Sequence, residues 1–250
     1  MKPICSIFFH NYYGEHEYWI DFFSKNITIP SILYYNIVSD SIYNLNEDAA
    51  QIFKTLQPNP KNNITQIILR LSNNKGKDIG GKLILFDAYQ KIGIETEYGL
   101  FLHDKKSIYK ANNITWANDL LKIAAPDFQI KVFALFAKNA DIGIITASGN
   151  IINEYDAGLK TFRSTNKLLL NQLLHSYNIS PRNYEYVAGT MFWFRIMPLN
   201  IFFTKNNCLQ VRELFENGNV TDQYAGTFTH SWERILSWIF TLDGHKINII

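Results

Sequence analysis

Three groups of residues in this sequence have the types and spacing needed for chemistry, and they lie far apart in the chain. His103-Asp104-Lys105-Lys106-Ser107 follow directly on the apolar run Tyr98–Leu102. Extended chain alternates its side chains, so two of these five residues can face one ligand together. A lysine pair beside a histidine can offset the charge of a diphosphate without a metal, whereas Asp104 alone is a poor cation site. The alternative is a charged surface turn. The second group is Asn73-Asn74-Lys75-Gly76-Lys77-Asp78-Ile79-Gly80-Gly81, whose glycines allow tight turns and close backbone approach. Asp78 can hydrogen-bond a ribose or sugar hydroxyl, and Lys75 and Lys77 can meet a phosphate. A solvated turn with Asp78 capping the next helix is the alternative, and the spacing matches neither a Walker loop nor a dinucleotide fingerprint.

The third group lies on a helix, His230-Ser231-Trp232-Glu233-Arg234-Ile235-Leu236-Ser237-Trp238-Ile239-Phe240. At about 100° per residue, His230, Glu233, Arg234 and Ser237 share one face, and Trp232, Ile235, Leu236, Ile239 and Phe240 form an apolar face for the core. The polar face is either solvated surface or a coupled acid/base pair of His230 and Glu233 at the mouth of a crevice. Arg195 stands in the apolar run Val187–Leu199 and must meet a carboxylate or an anionic ligand. Trp193 in the same run suits the core, or a stack on a pyranose face.

The elements that must position these residues alternate. Ile4–Phe9, Ser31–Val38, Gln66–Leu71 and Tyr98–Leu102 read as strands. Helical patterns lie between them: one around Tyr18, Trp19, Phe22 and Phe23, one over Glu47–Leu56, and one over Lys82–Ile92. This is the rhythm of a doubly wound, mostly parallel sheet flanked by helices. Further on, helical stretches flank Pro126, a strand covers Ile142–Ile145, a loop spans Ser148–Gly158, and helices cover Asn166–Tyr177 and Thr227–Leu242. With no internal repeat and no linker, residues 1–250 read as one domain. In open α/β sheets ligands bind beyond the carboxyl ends of the strands, where the strand order reverses. His10 and Asn11, the loop 72–78 and residues 103–107 would then converge on one crevice.

Composition narrows the function. The 250 residues are 47% hydrophobic, 15% aromatic and 18% charged, which excludes disorder. With 24 Lys+Arg against 22 Asp+Glu the net charge is +2, so no electrostatic footprint for nucleic acid exists and any basic site is local. Cys5 and Cys208 read as free buried thiols in a reducing compartment. The longest apolar stretch, Tyr186–Thr204, is broken by Arg195, Pro198 and Asn200, so a soluble protein is expected, at most resting on a membrane surface.

Five motifs in order resemble the rhamnan synthesis protein F family of bacterial polysaccharide-assembly proteins. Phe9-His10-Asn11-Tyr12-Tyr13 resembles its first-strand His/Tyr motif, and Asn74–Gly80 its Asn-x-Gly-Arg-Asp-x-Gly loop. His103-Asp104-Lys105-Lys106-Ser107 is similar to His-Thr-Lys-Lys-Ser, and Ala188–Arg195 to Ala-Gly-Thr-Met-Phe-Trp-x-Arg. Gly226–Arg234 is similar to Gly-Thr-x-Ala-His-Ala-x-Glu-Arg.

The resemblance implies a GT-A-like, Rossmann-type sandwich and transfer of a hexose or deoxyhexose, typically rhamnose. The donor would be a nucleotide-diphosphate sugar and the acceptor a glycan or lipid-linked glycan, at the inner face of the membrane. His103-Asp104-Lys105 stands where ordinary GT-A enzymes carry an Asp-x-Asp metal site. Lysine-assisted diphosphate binding is therefore expected in preference to Mg2+ or Mn2+. Lys77 replaces an arginine of the family motif, Asp104 a threonine, and Ala225 an acidic residue, with Asp222 three positions earlier.

Asp222, His230 and Glu233 are accordingly the candidate catalytic residues. His10, Asn74, Gly76, Asp78, His103, Asp104, Lys105, Lys106, Arg195 and Arg234 are the candidates for the nucleotide sugar, and Trp193 and Tyr224 for stacking on sugar. The rival expectation is a catalytically degenerate relative that binds a glycan or a partner enzyme.

Overall fold

The computed structural model describes residues 2–44, 54, 63–104, 120–222, 225–242 and 244–250. Lys105, Lys106, Ser107 and Tyr224 lie outside the described residues, as does the helix expected over Glu47–Leu56 apart from Lys54. Among the described residues the central sheet has seven strands: β1 (Cys5–Asn11), β2 (Ser31–Val38), β3 (Ile64–Ser72), β4 (Tyr98–His103), β5 (Ile142–Thr146), β10 (Phe192–Arg195) and β11 (Lys246–Ile249). Their order is β11-β5-β10-β4-β1-β2-β3, and β10 alone runs against the other six. The fold is thus an α/β, Rossmann-like sandwich. The chain steps outward from β1 to β2 to β3 and returns to β4 on the other side of β1, so strand order reverses between β1 and β4.

Among the described residues four short strands lie outside this sheet: β6 (Ile151–Asn153), β7 (Tyr155–Asp156), β8 (Thr161–Phe162) and β9 (Glu185–Val187). β6 pairs with β9 and β7 with β8, so the segment expected as a loop over Ser148–Gly158 contains two of them.

β1 and β4 are buried along their whole length, and apolar over most of it, because both faces are covered. Ile7 and Phe9 face α1 (His16–Asn26), while Phe8 faces α2 (Lys77–Ile92). The same alternation puts Leu100 and Leu102 on the α1 side and Phe101 on the α2 side. α3 (Pro126–Lys138) joins α1 on its face. The α2 face is completed by α4 (Lys167–Ser176), α5 (Ile196–Lys205), α6 (Cys208–Glu213) and α7 (Phe228–Thr241). Every buried large apolar side chain contributes about 1.5–3 kcal/mol, and both faces are dense with them. The apolar face expected for α7 is buried as predicted, and Cys5 and Cys208 are free, buried thiols. Among the described residues no helix is long and apolar enough to cross a membrane.

Helix α2 begins at Lys77, five residues before the sequence reading starts it. Gly80 and Gly81 are poor helix formers, yet they sit inside its first turns for reasons of space. A Cβ on Gly81 would lie 1.8 Å from Nδ1 of His10, and one on Gly80 1.9 Å from the carbonyl oxygen of Lys75. α5, α6 and β11 were not anticipated, because the apolar residues of α5 merge with the run that makes β10.

Candidate functional site

The carboxyl ends of β1 and β4 carry His10 and His103, which are direct neighbours in the parallel register. Both occur at the parity of Phe8 and Phe101, so both fall on the α2 face. Asn36, opposite His10 on β2, donates from Nδ2 to His10 Nδ1 at 3.0 Å and to Ser72 Oγ at 2.9 Å. Burial lowers the pKa of His10 to about 4, against the opposing pull of Asp78, so this imidazole is neutral.

Asp78 and Lys82 are four residues apart on α2 and therefore share its face. Lys82 is completely buried and gives its three ammonium hydrogens to three elements. They go to Asp78 Oδ2 at 2.8 Å, His103 Nδ1 at 3.2 Å, and the hydroxyl of Thr190. Thr190 in turn donates to Asp78 Oδ2 at 2.6 Å. Burial would raise the pKa of Asp78, but the charge of Lys82 and the hydrogen bonds from Lys82 and Thr190 outweigh it and hold the carboxyl well below its usual range. Thr190 has φ 48°, a left-handed conformation that a β-branched residue rarely adopts. Lys77, next to Asp78, has φ 50°.

The second half of the site is built on the start of α7. Thr227 caps the helix through Oγ1, which accepts from the His230 amide. The same hydroxyl donates to Asp222 Oδ1 at 2.8 Å. His230 Nδ1 lies 2.9 Å from Asp222 Oδ1 and 2.6 Å from Thr227 Oγ1, so Nδ1 carries the proton. His230 Nε2 faces Lys77 Nζ at 3.4 Å. Asn166 Nδ2 donates to Asp222 Oδ2 at 2.5 Å. Burial again opposes ionisation of Asp222, but the hydrogen bonds from His230 and Asn166 win and its pKa is strongly lowered. For Lys77 burial dominates over the attraction of Asp78, Asp222, Glu233 and Glu216, and its pKa falls.

Glu233 reaches the same place but both its oxygens are engaged. Oε1 accepts the Gly189 amide at 2.8 Å, and Oε2 accepts from Arg234 at 2.9 Å. Arg234 also binds Glu154 Oε2 at 3.1 Å and the His230 carbonyl at 2.7 Å, with its guanidinium 4.7 Å from the centre of the Tyr186 ring. Neither residue is thus placed for its expected role: Glu233 fixes the turn that presents Thr190, and Arg234 fixes Glu233. Ser237, further along that face, is buried and accepts the Val187 amide. On the polar face of α7, Arg234 and Ser237 are buried and His230 and Glu233 are only partly exposed.

Several other expectations are corrected. Trp193 is fully buried on the α1 side of the sheet and donates from Nε1 to the Ile123 carbonyl, so it cannot stack on a sugar. Arg195 pairs with Tyr98, at the amino end of β4. That is five residues, or about 16 Å, from His103 at roughly 3.3 Å per residue. Its guanidinium donates to the carbonyls of Phe136 and Ile142, rests on the Phe136 ring and lies 3.8 Å from the Glu97 carboxylate, so of the two expected partners it meets a carboxylate.

Asp104, expected at the nucleotide sugar, is buried, and its oxygens instead accept the amides of Tyr12 and Tyr13 at 2.6–2.9 Å. Among the described residues no three His, Cys, Asp or Glu side chains form a metal-binding group. The Gly76 amide donates to the Glu216 carbonyl, and a Cβ there would meet the Phe215 ring at 2.2 Å, so Gly76 offers no amide to a phosphate. Asn74 is bridged to Asn219, which also reaches the hydroxyl of Tyr12. The segment 215–219 thus clasps the loop before α2, and three residues later the chain delivers Asp222 to His230.

His10, Asp78, His103, Asp222 and His230, drawn from four stretches of sequence, do gather on one face of the sheet. No family model and no curated protein matches the chain. The reading of the site therefore rests on its own geometry. Lys82, Thr190, Thr227, Asn166 and Glu154 were missed as site residues. A threonine three residues before His230 is a readable helix cap, but nothing in the spacing distinguishes Lys82 from a surface lysine.

Proposed function

We propose that the protein is a glycosyltransferase that moves a hexose or deoxyhexose from a nucleotide-diphosphate sugar to a glycan or lipid-linked acceptor in the cytoplasm, at the inner face of the membrane. The observation that carries this reading is the pairing of a His230–Asp222 acid/base couple with the buried Asp78–Lys82–His103 cluster at the carboxyl ends of β1 and β4, where strand order reverses. The GT-A-like assignment of the sheet belongs to the same proposal.

In this reading the acceptor hydroxyl gives its proton to His230 Nε2 as its oxygen bonds to the anomeric carbon. The bond from that carbon to the diphosphate breaks, and the electron pair leaves with the diphosphate. Asp222 and Thr227 hold the Nδ1 proton and stabilise the imidazolium that forms. Lys77, displaced from Nε2 by the hydroxyl, can turn to the leaving diphosphate, with Lys105 and Lys106 as its proposed companions. Asp78 takes a hydroxyl of the donor. No step is routed through a metal.

The test is incubation of the purified protein with a panel of nucleotide sugars, following nucleotide release with and without EDTA, together with thermal shifts by nucleoside diphosphates. Release from at least one donor is expected. No release and no shift would overturn the proposal. The second reading, a catalytically degenerate binder, draws on Arg195 and Arg234, both spent inside the protein. It expects thermal shifts, or glycan binding, without release.

A further inference from the structure

The ammonium of Lys82 has no solvent contact and no spare hydrogen, and its three acceptors come from helix α2, strand β4 and the turn after β9. Burial lowers the pKa of Lys82 and the Asp78 carboxylate opposes that fall; with the amine held charged by this partner it has no lone pair, so His103 Nδ1 accepts and the ring proton lies on Nε2. Thr190 accepts from Lys82 and so must spend its own hydrogen on Asp78 Oδ2. The directions of all four hydrogen bonds are thereby fixed. The turn carrying Thr190 is held from two sides, by the Thr190 amide on the Val187 carbonyl and by the Gly189 amide on Glu233. That clamping keeps a β-branched residue at φ 48°. Asp78 Oδ1 is left with no partner among the described residues, although the side chain is 23% exposed.

We propose that Lys82 is a positioning residue: its buried ammonium fixes the tautomer of His103 and turns Asp78 so that one oxygen is bound inward and the other is presented to the ligand. Nothing in this role requires Lys82 to touch a substrate. The turnover part of the test rests on the transferase reading, whereas the tautomer part does not.

His103 Nδ1 lies 3.6 Å from Asp78 Oδ2. In Lys82→Met the donor to Nδ1 is gone and the carboxylate is left without its cation. The ring is then expected to place a proton on Nδ1, facing that carboxylate. Long-range 1H–15N spectra of histidine-labelled protein, with His103 assigned through His103→Gln, read this directly. The wild type is expected to carry the proton on Nε2 alone, and Lys82→Met to carry one on Nδ1. An unprotonated Nδ1 in the variant, or a protonated one in the wild type, overturns the proposal.

Should Lys82→Met fail to fold, the wild type alone still decides. The Lys82 ammonium must appear as a slowly exchanging, charged amine coupled to the His103 ring, and a neutral or rapidly exchanging amine overturns the assignment. Where the wild type releases nucleotide from a donor sugar, Lys82→Met is expected to lower kcat at least tenfold with a smaller change in KM. Absence of release by the wild type defeats the transferase reading and leaves the tautomer result to decide the role of Lys82.

Discussion

Helix α2 carries two Asp–Lys pairs of the same design in different surroundings. Lys82 donates to Asp78 and Lys91 to Asp87, each from four residues downstream and each at 2.8 Å. The side chains of the first pair are 0% and 23% exposed for Lys82 and Asp78, those of the second 64% and 15% for Lys91 and Asp87. The two pairs differ at the lysine: the Lys91 ammonium stands in water, where the attraction is screened and the charge is solvated without its partner. In the interior each charge depends on the other, and removing one strands the second. Burial makes one pair a structural commitment of the site and leaves the other as surface decoration.

Asp78→Ala is the sharpest way to break this contrast. It leaves the Lys82 ammonium buried without its carboxylate, and a loss of about 3–5 kcal/mol is expected in urea unfolding. A loss below about 1 kcal/mol would mean that water reaches Lys82 and that the two pairs are alike.

The His230 half of the site differs again. Its groups are half-buried and reachable, so substitution should affect turnover more than folding. His230→Asn is expected to lower nucleotide release by about 10²–10⁴-fold, the range for a lost general base, while stability changes by no more than about 1 kcal/mol. Equal losses of turnover and of stability would instead make His230 a packing residue.

Acid provides a third contrast. Asp222 has a folded pKa below the unfolded value of about 3.9, held there by His230 and Asn166 against burial. Its contribution is therefore fully present above about pH 4 and is lost as pH falls toward the folded value. Asp78 is lowered in the same sense. Wild-type stability should fall below about pH 4, and Asp222→Asn should be less stable at neutral pH and fall less steeply in acid. Parallel acid profiles for the two proteins would show that the Asp222–His230 hydrogen bond does not persist in solution.

The same contrast explains what could be read from the sequence. Ile7, Phe8 and Phe9 announce a strand buried on both faces, and residues after a parallel strand lie at its carboxyl end, so His10 and His103 were legible. The rule fails at β10. Arg195 ends a strand too, but that strand runs backwards, and local pattern carries no sign of strand direction. Asp104 has the right chemistry for a ligand, and only folding brings the amides of Tyr12 and Tyr13 to it. Lys82 and Lys91 present the same local pattern, an aspartate four residues before, and only the tertiary contact with Thr190 and His103 separates them.

Asp87→Ala is the smallest effect and the calibration for the rest. Lys91 is mostly solvated, so it keeps its hydration when the carboxylate is removed, and the change should not exceed about 0.5 kcal/mol. The same substitution chemistry on the same helix then differs several-fold between Asp78 and Asp87. Asp78 lies in the first turn of the helix and Asp87 well inside it, so the difference between the variants also contains the interaction of a carboxylate with the helix N-terminus, about 0.3–1 kcal/mol, which has to be deducted. What remains is the cost of stranding a lysine inside the protein. If the two variants instead lose similar amounts, the interior of the crevice is wet enough to solvate an ammonium. His103 would then be free to choose its own tautomer.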